Sequence, residues 1–467
     1  MSSPFLYPTA TSGSIRQISL SPFNENSPAS AYGLALDESN RVTITKCSKT
    51  NSSLEMCKSF PLAGSPRAAV WCPFVTNATP TDYYCLVTSC VGCPVQLRYF
   101  SEKKDNAGEG DDEDQSHDPA WVEGTYKCYD DLDYLISANT ICWHKSRKGQ
   151  LVCGFDKGYL GIFDVERPGR DLSWRQQVNS LCAFQNNTSH NRKITNPQHA
   201  VSAIAVHETA PDLIACGTRC GFMPIFDSRM KLPACVLKCD NNNEFGHAVN
   251  SAITEIQFDP NSQHFVYSTS RGKGKRNNNN NLYQSGIVQH DLRKPQFASG
   301  FLMTREVSSN NNKNEDNYVS EGNASSSSTM QPIHFNLANA SDSKRILEKF
   351  GQQKQQQEDS ADENSATSSF IISGNPSGSD PILGYCSKNN NSNQQQLRAN
   401  TTSSASIPLT AVSVCTQRGI MLLGGGQRNF AEPDEDGEDL GPMEVGKIRG
   451  RDLPHQISSA FGKVVKF

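Results

Sequence analysis

The chain lacks most of the marks that would place it in a membrane, in a secretory route or among common enzyme classes. No stretch approaches the roughly 18 consecutive apolar residues of a membrane span, and the first residues, MSSPFLYPTATSGS, offer neither a basic n-region nor an apolar h-region. The expectation is therefore an intracellular protein without a membrane role. A phosphate-binding Gly-x-x-x-x-Gly-Lys-Ser/Thr loop is missing: Gly424–Gly426 are followed by Gln427 and Arg428, not by the lysine that reaches the phosphates. Gly-x-Ser-x-Gly and His-Glu-x-x-His are missing too. The acidic runs GEGDDEDQSHD and EPDEDGEDLG lack the spaced order of a calcium loop and read as solvated loops or docking sites for basic partners.

Ten histidines occur singly, His144, His207 and His290 among them, each where a polar or turn residue is expected. Sixteen cysteines are scattered, and the one close pair, Cys90 and Cys93, has no second pair at zinc spacing. Reduced, mostly buried thiols are expected. No catalytic constellation, metal site, cofactor or small-molecule substrate follows from these residues.

What is present falls into two kinds of sequence. Polar tracts such as RNNNNNLY, SSNNNKNEDN, QQKQQQEDSADENS and NNNSNQQQ carry too little apolar surface to offset the entropy of ordering. They read as disordered insertions in surface loops, near 101–118, 271–283, 308–329, 351–367 and 387–406. Between them one grammar recurs at ~40 residues: an apolar alternating strand, a polar turn, a second strand ending in Gly or Ser, and a third ending in aromatic-Asp or its remnant. It is clearest in Thr140–Asp171, Val201–Arg229 and Ile253–Arg293, and weaker in Ile15–Cys47 and Arg67–Phe100.

Phe163-Asp164, Phe226-Asp227 and His290-Asp291 stand where a WD repeat has Trp-Asp. Gln331–Ala340 and Phe370–Cys386 read as halves of one split unit, and Leu409–Phe430 as another. About seven units result, and radial closure protects their sheet edges. Short strands between polar loops also suit a β-sandwich, but the recurrence selects an all-β, seven-bladed WD40-like propeller over 15–441. Residues 1–14 are expected to be a flexible N-terminus, and 442–467 a C-terminal segment able to complete the ring. Gly217 and Gly221 are assigned to tight turns, and Gly424–Gly426 to the turn after a closing strand.

The turn ERPGRD presents Arg167 and Arg170 outward, and a guanidinium offers a planar fork of donors to phosphate or carboxylate. The clusters RGKGKR and KIRGR suit RNA phosphates, a nuclear-import signal or a plain exposed loop. A net charge of −4 argues against broad nonspecific binding to nucleic acid.

Taken in order, YDDLDYLISANTICW, LVCGFDKGYLGIFDVERPGRD, AVSAIAVHETAPDLIACGTRCGFMPIFDSR, HDLR, FIISG and LLGGGQRNFAEPDEDGEDLG resemble the WD-repeat family of the telomerase Cajal body protein. The Asn/Gln insertions point to its fungal branch. Members bind small RNAs and their particles. The animal branch recognises Cajal-body box RNAs and telomerase, and the budding-yeast branch is a nuclear pre-mRNA splicing factor that helps stabilise U1 snRNP on the 5' splice site.

The resemblance thus implies nuclear localisation, and snRNP proteins or small nuclear RNA, U1 snRNP foremost, as partners. Without the long N-terminal extension and Pro-rich tail of animal members, recruitment to Cajal bodies or telomerase is not expected. Arg170, Arg293 and Gln427-Arg428 match family positions and, with Arg167 and Arg229, are the candidates for RNA or partner contact. Two alternatives are a small-RNA biogenesis factor and a substrate receptor of a ubiquitin ligase, since FDSR and HDLR resemble a Trp-Asp-x-Arg box without its Trp.

Overall fold

The computed structural model describes residues 5–6, 15–21, 31–37, 40–47, 54–73, 83–101, 122–144, 146–166, 172–178, 200–237, 252–271, 286–295, 298–303, 335–338, 369–373, 382–386, 394–396, 409–415, 420–426 and 460–466. The apolar alternation of these segments gives antiparallel strands, one face of each turned to a neighbouring sheet. Strand β1 (Phe5–Leu6) joins the last sheet. Blade 1 is β2 (Ile15–Leu20), β3 (Ala31–Asp37), β4 (Arg41–Cys47) and β5 (Leu54–Pro61). Blade 2 is β6 (Pro66–Trp71), β7 (Tyr83–Cys90), β8 (Val95–Ser101) and β9 (Val122–Tyr126). Blade 3 is β10 (Ala138–Trp143), β11 (Gln150–Phe155), β12 (Tyr159–Asp164) and β13 (Leu172–Gln177).

Blade 4 is β14 (Val201–Val206), β15 (Leu213–Thr218), β16 (Met223–Asp227) and β17 (Pro233–Leu237). Blade 5 is β18 (Ala252–Phe258), β19 (Phe265–Arg271), β20 (Gly286–Asp291) and β21 (Ala298–Met303). The split unit forms blade 6, from β22 (Phe335–Ala338), β23 (Ser369–Ser373) and β24 (Ile382–Cys386). Strand β25 (Gln394–Gln396) adds in parallel to β21 at the outer edge of blade 5. Blade 7 is β26 (Leu409–Cys415), β27 (Ile420–Gly426), β28 (Ala460–Lys466) and finally β1.

Each blade packs its first strand against the first strand of the next, and β2 meets both β6 and β26, so the seven sheets close a ring. Sheet edges must be satisfied or covered, and here polar side chains of one blade reach the backbone edge of another. Gln17 Oε1 accepts the Ala69 N–H at 3.1 Å, and Asn139 Nδ2 donates to the Val201 carbonyl at 3.1 Å. Ser202 Oγ donates to the Ile253 carbonyl at 2.6 Å, and Gln257 Nε2 to that of Phe335 at 2.5 Å. Asn336 Nδ2 donates to the Val412 carbonyl at 2.7 Å, and Ser413 Oγ accepts the Leu20 N–H at 3.0 Å, which brings blade 7 back to blade 1. Between blades lie the apolar cores. Leu151, Phe155 and Phe163 pack with Val87, Leu97 and Tyr126, whereas Val152 and Leu160 pack with Val201 and Ile214. Each fully buried Leu, Val or Phe contributes about 1.5–3 kcal/mol.

The blades repeat in backbone detail. Pairing of first and second strands slips by one residue at Ile15/Gln17, Pro66/Ala68, Ala138/Thr140, Val201/Ala203, Ile253/Glu255 and Leu409/Ala411. Just past the slip, the second strand places Gly154, Gly217 and Gly424 in blades 3, 4 and 7. A Cβ on Gly154 would lie 2.2 Å from Val201 Cγ1, one on Gly217 2.6 Å from Ile253 Cγ2, and one on Gly424 1.9 Å from Ile18 Cδ1. These glycines let the next blade approach.

Three expectations are corrected here. Gly217 lies inside β15 and Gly424–Gly426 inside β27, paired to β28, so neither makes a turn; Gly221, at φ +88°, does. The N-terminus is not wholly free, because Phe5 and Leu6 pair with Gly462 and Phe461. Gln394–Gln396, assigned to an insertion, pair with Phe301–Met303, since a polar edge strand needs only backbone partners. Residues 308–329 and 351–367 lie outside the described residues.

Candidate functional site

A four-stranded meander sends its first-to-second and third-to-fourth connections to one end, and the other connections to the opposite end. Two rims result. On the first, the third strands β12, β16 and β20 end at Asp164, Asp227 and Asp291. Asp227 Oδ1 accepts the Arg229 backbone N–H at 3.0 Å and its Nε at 2.8 Å, while Oδ2 accepts Nη2 at 2.6 Å. Asp291 repeats the arrangement with Arg293, at 2.9, 2.9 and 2.7 Å. The remnant of Trp-Asp is thus a turn-fixing carboxylate that grips an arginine two residues on. Paired with Arg229, the Asp227 carboxyl is held down at about 2.

Arg229 and Arg293 therefore share one rim on adjacent blades, with side chains 70% and 58% exposed. Arg167, Arg170, Gln427 and Arg428 lie outside the described residues. Replacing Arg229 by Ala is expected to leave the melting temperature nearly unchanged, because so exposed a pair is screened by water; thermal denaturation checks this.

The histidines serve the same rim. His144 Nε2 lies 2.7 Å from the Pro211 carbonyl, which only accepts, so Nε2 carries the proton and Nδ1 accepts the Arg147 N–H at 3.1 Å. Burial pushes the His144 pKa down, in keeping with this neutral form. The adjacent Arg147 reaches Asp212 of blade 4 at 2.5 Å, and Asp212 also accepts Ser228 Oγ at 2.8 Å. His207 Nδ1 accepts the Thr209 and Ala210 N–H groups, and its ring packs 4.8 Å from Phe258 of blade 5. His290, inside β20, bonds Ser268 Oγ at 3.1 Å. These three side chains cap turns and join strands. Arg147 escaped the sequence reading because its partner sits on another blade.

On the opposite rim, the connection from β9 to β10 folds into a small hairpin closed by a bridge between Tyr129 and Leu135. Asp130 organises it. Its Oδ1 accepts the Leu132 and Tyr134 N–H groups, both at 2.9 Å, and its Oδ2 accepts Lys157 Nζ at 2.5 Å. That lysine hydrogen bond, foremost, lowers the Asp130 pKa. Asp131 accepts Tyr159 Oη and Arg175 Nη2, each at 3.0 Å, and the guanidinium lies 4.2 Å from the Tyr159 ring. Ser137 Oγ accepts the Gly92 N–H at 2.7 Å, tying the hairpin to a turn of blade 2. Leu132 and Tyr134 face solvent at 74% and 65% exposure. The signal in the sequence was the apolar side chains of YDDLDYL, set among three acids between two blades.

Among the described residues no group of three or more His, Cys, Asp or Glu could hold a metal ion. Eleven described cysteines are free thiols, and burial raises the pKa of Cys153 and Cys216. No protein-family model matches the chain, and no curated protein matches it. Among solved structures it is similar to a crystal structure of the mitotic checkpoint complex, at 10% identity and a TM-score of 0.44, covering 87% of this chain and 82% of that one. On its own closed set of seven sheets, the chain is a seven-bladed β-propeller of WD40 type.

Proposed function

We propose that this propeller is a non-enzymatic nuclear platform that binds ribonucleoprotein components and assists pre-mRNA splicing, helping to hold U1 snRNP on the 5' splice site. The observation that carries the platform reading is the use made of its polar groups. His144, His207, Asp130, Asp227 and Asp291 fix turns, while Leu132, Tyr134, Arg229 and Arg293 are displayed at the rims. Rigid frames with displayed loops are the usual arrangement for binding. The splicing role is supported by the family resemblance of YDDLDYLISANTICW, VERPGRD, HDLR and GGGQRNFAEP. With a net charge of −4, recognition falls to local contacts rather than to broad attraction for RNA.

Purification of the tagged chain from nuclei tests this reading. U1 RNA and splicing proteins are expected to co-purify, and recovery of a cullin adaptor without them would sink it. That second reading, a ubiquitin-ligase receptor, draws on Arg229 and Arg293, each two residues past the blade-end Asp and exposed on one rim. Changing Arg170 and Arg428 together to Ala is expected to reduce particle association several-fold with an unchanged melting temperature. A fall of several degrees with association intact per folded molecule would make them structural residues.

A further inference from the structure

We propose that the 127–137 hairpin is a docking knob for a protein partner, one that receives Leu132 in an apolar socket rimmed by lysine or arginine. Leu132 is 74% exposed, Tyr134 65% and Tyr129 43%, and Val91, in the blade 2 turn that the hairpin engages, is 40% exposed. Four large apolar side chains in water around one loop exceed the scattered exposure usual on a surface. The loop does not present them through slackness. Asp130, itself 6% exposed, binds two of the loop's N–H groups and Lys157, and the Asp130 N–H donates to the Tyr134 carbonyl at 3.0 Å. Held in this way, Leu132 and Tyr134 lose little further freedom on binding, which favours affinity.

Charge decides the partner's chemistry. Asp131, its side chain 73% exposed, and Asp133 flank Leu132, so the tip reads acid, leucine, acid. Lys157 and Arg175 are engaged by Asp130 and Asp131, and the exposed Lys127 stands at the base of the hairpin, outside the Tyr129–Leu135 bridge, so the acidic tip carries no clamp for phosphate. A nucleic-acid backbone would be repelled by the tip, whereas a basic rim around an apolar pocket complements it. The inference rests on the platform reading and not on splicing.

The test places a photoreactive benzoyl-phenylalanine at Tyr129 of the full chain in cells and identifies crosslinked peptides by mass spectrometry. One protein is expected, crosslinked through a segment bearing apolar residues with lysine or arginine close by. Leu132→Asp should lower crosslink yield at least tenfold with an unchanged melting temperature. Asp131→Asn with Asp133→Asn should lower it about threefold and weaken its salt dependence; asparagine tolerates the left-handed backbone at position 133, φ +60°. Crosslinks to nucleic acid, to a second copy, or to no macromolecule would overturn the proposal, as would a yield insensitive to Leu132→Asp. U1 RNA recovery from the same cells is scored separately. Its absence counts against the splicing role alone.

Discussion

Gly154→Ala is expected to destabilise the ring by about 3 kcal/mol, lowering the melting temperature by roughly 6–12 °C. The added methyl would stand 2.2 Å from Val201 Cγ1, 2.8 Å from Val201 Cβ and 2.9 Å from Ile204 Cδ1. Val201 is β-branched, on a paired strand and fully buried, so it cannot rotate away and β14 must shift. Gly217→Ala should behave alike, since Ile253 offers its Cγ2 and Cβ at 2.6 and 2.7 Å. Gly92→Ala is the comparison: at φ +73° the methyl meets nothing within 4 Å, leaving only the left-handed strain of about 1–2 kcal/mol. Val201→Ala beside Gly154→Ala should recover part of the loss by removing the nearest atom. If Gly154→Ala proves as mild as Gly92→Ala, the close approach of blades 3 and 4 is wrong.

Acid should loosen the fold well before its carboxylates protonate. Burial holds the His290 pKa at about 4, against an unfolded value near 6.5. The unfolded chain therefore binds the proton more readily. The stabilisation is complete above pH 6.5 and is lost as pH falls toward 4, by about 3 kcal/mol. His144, also depressed, acts in the same direction. The paired carboxylates contribute only lower, Asp227 between its ordinary range and about 2. His290→Gln keeps a polar partner for Ser268 and should flatten most of the pH dependence between 6.5 and 4, though it lowers stability at neutral pH. Denaturant midpoints along a pH series check this, and an unchanged slope in the variant would place the titration elsewhere.

These two effects also mark where the sequence could and could not be read. The aromatic-Asp remnants were legible because a blade repeats within about 40 residues, and Asp227 and Asp291 do end third strands. The split unit was legible as well: its halves pair as β22, β23 and β24 across the Gln-rich tract. Gly154 and Gly217 were not. A glycine that opens a turn and one that admits a neighbouring blade look identical until the residue it faces, Val201 or Ile253, is brought beside it. Likewise Gln17, Asn139, Ser202, Gln257 and Asn336 read as ordinary half-exposed polar positions of an alternating strand. Their partners are backbone groups of another blade, which no local pattern encodes. Of the candidate arginines, Arg229 and Arg293 were singled out by their motif as contact candidates, and their grip on Asp227 and Asp291 emerged only from the turn geometry. The Asp130 hairpin was visible as composition and not as a rigid display, since one of the carboxylate's three hydrogen bonds comes from Lys157 in the following blade.

The most direct measurement of the functional account is ultraviolet crosslinking of the native chain in nuclei, followed by sequencing of the RNA recovered under denaturing purification and identification of the crosslinked proteins. The account predicts enrichment of U1 RNA, or of U1 particle proteins where contact is through protein, with loss of that signal in the Arg170→Ala, Arg428→Ala pair. Recovery of neither, from a chain shown to be folded and nuclear, would contradict it.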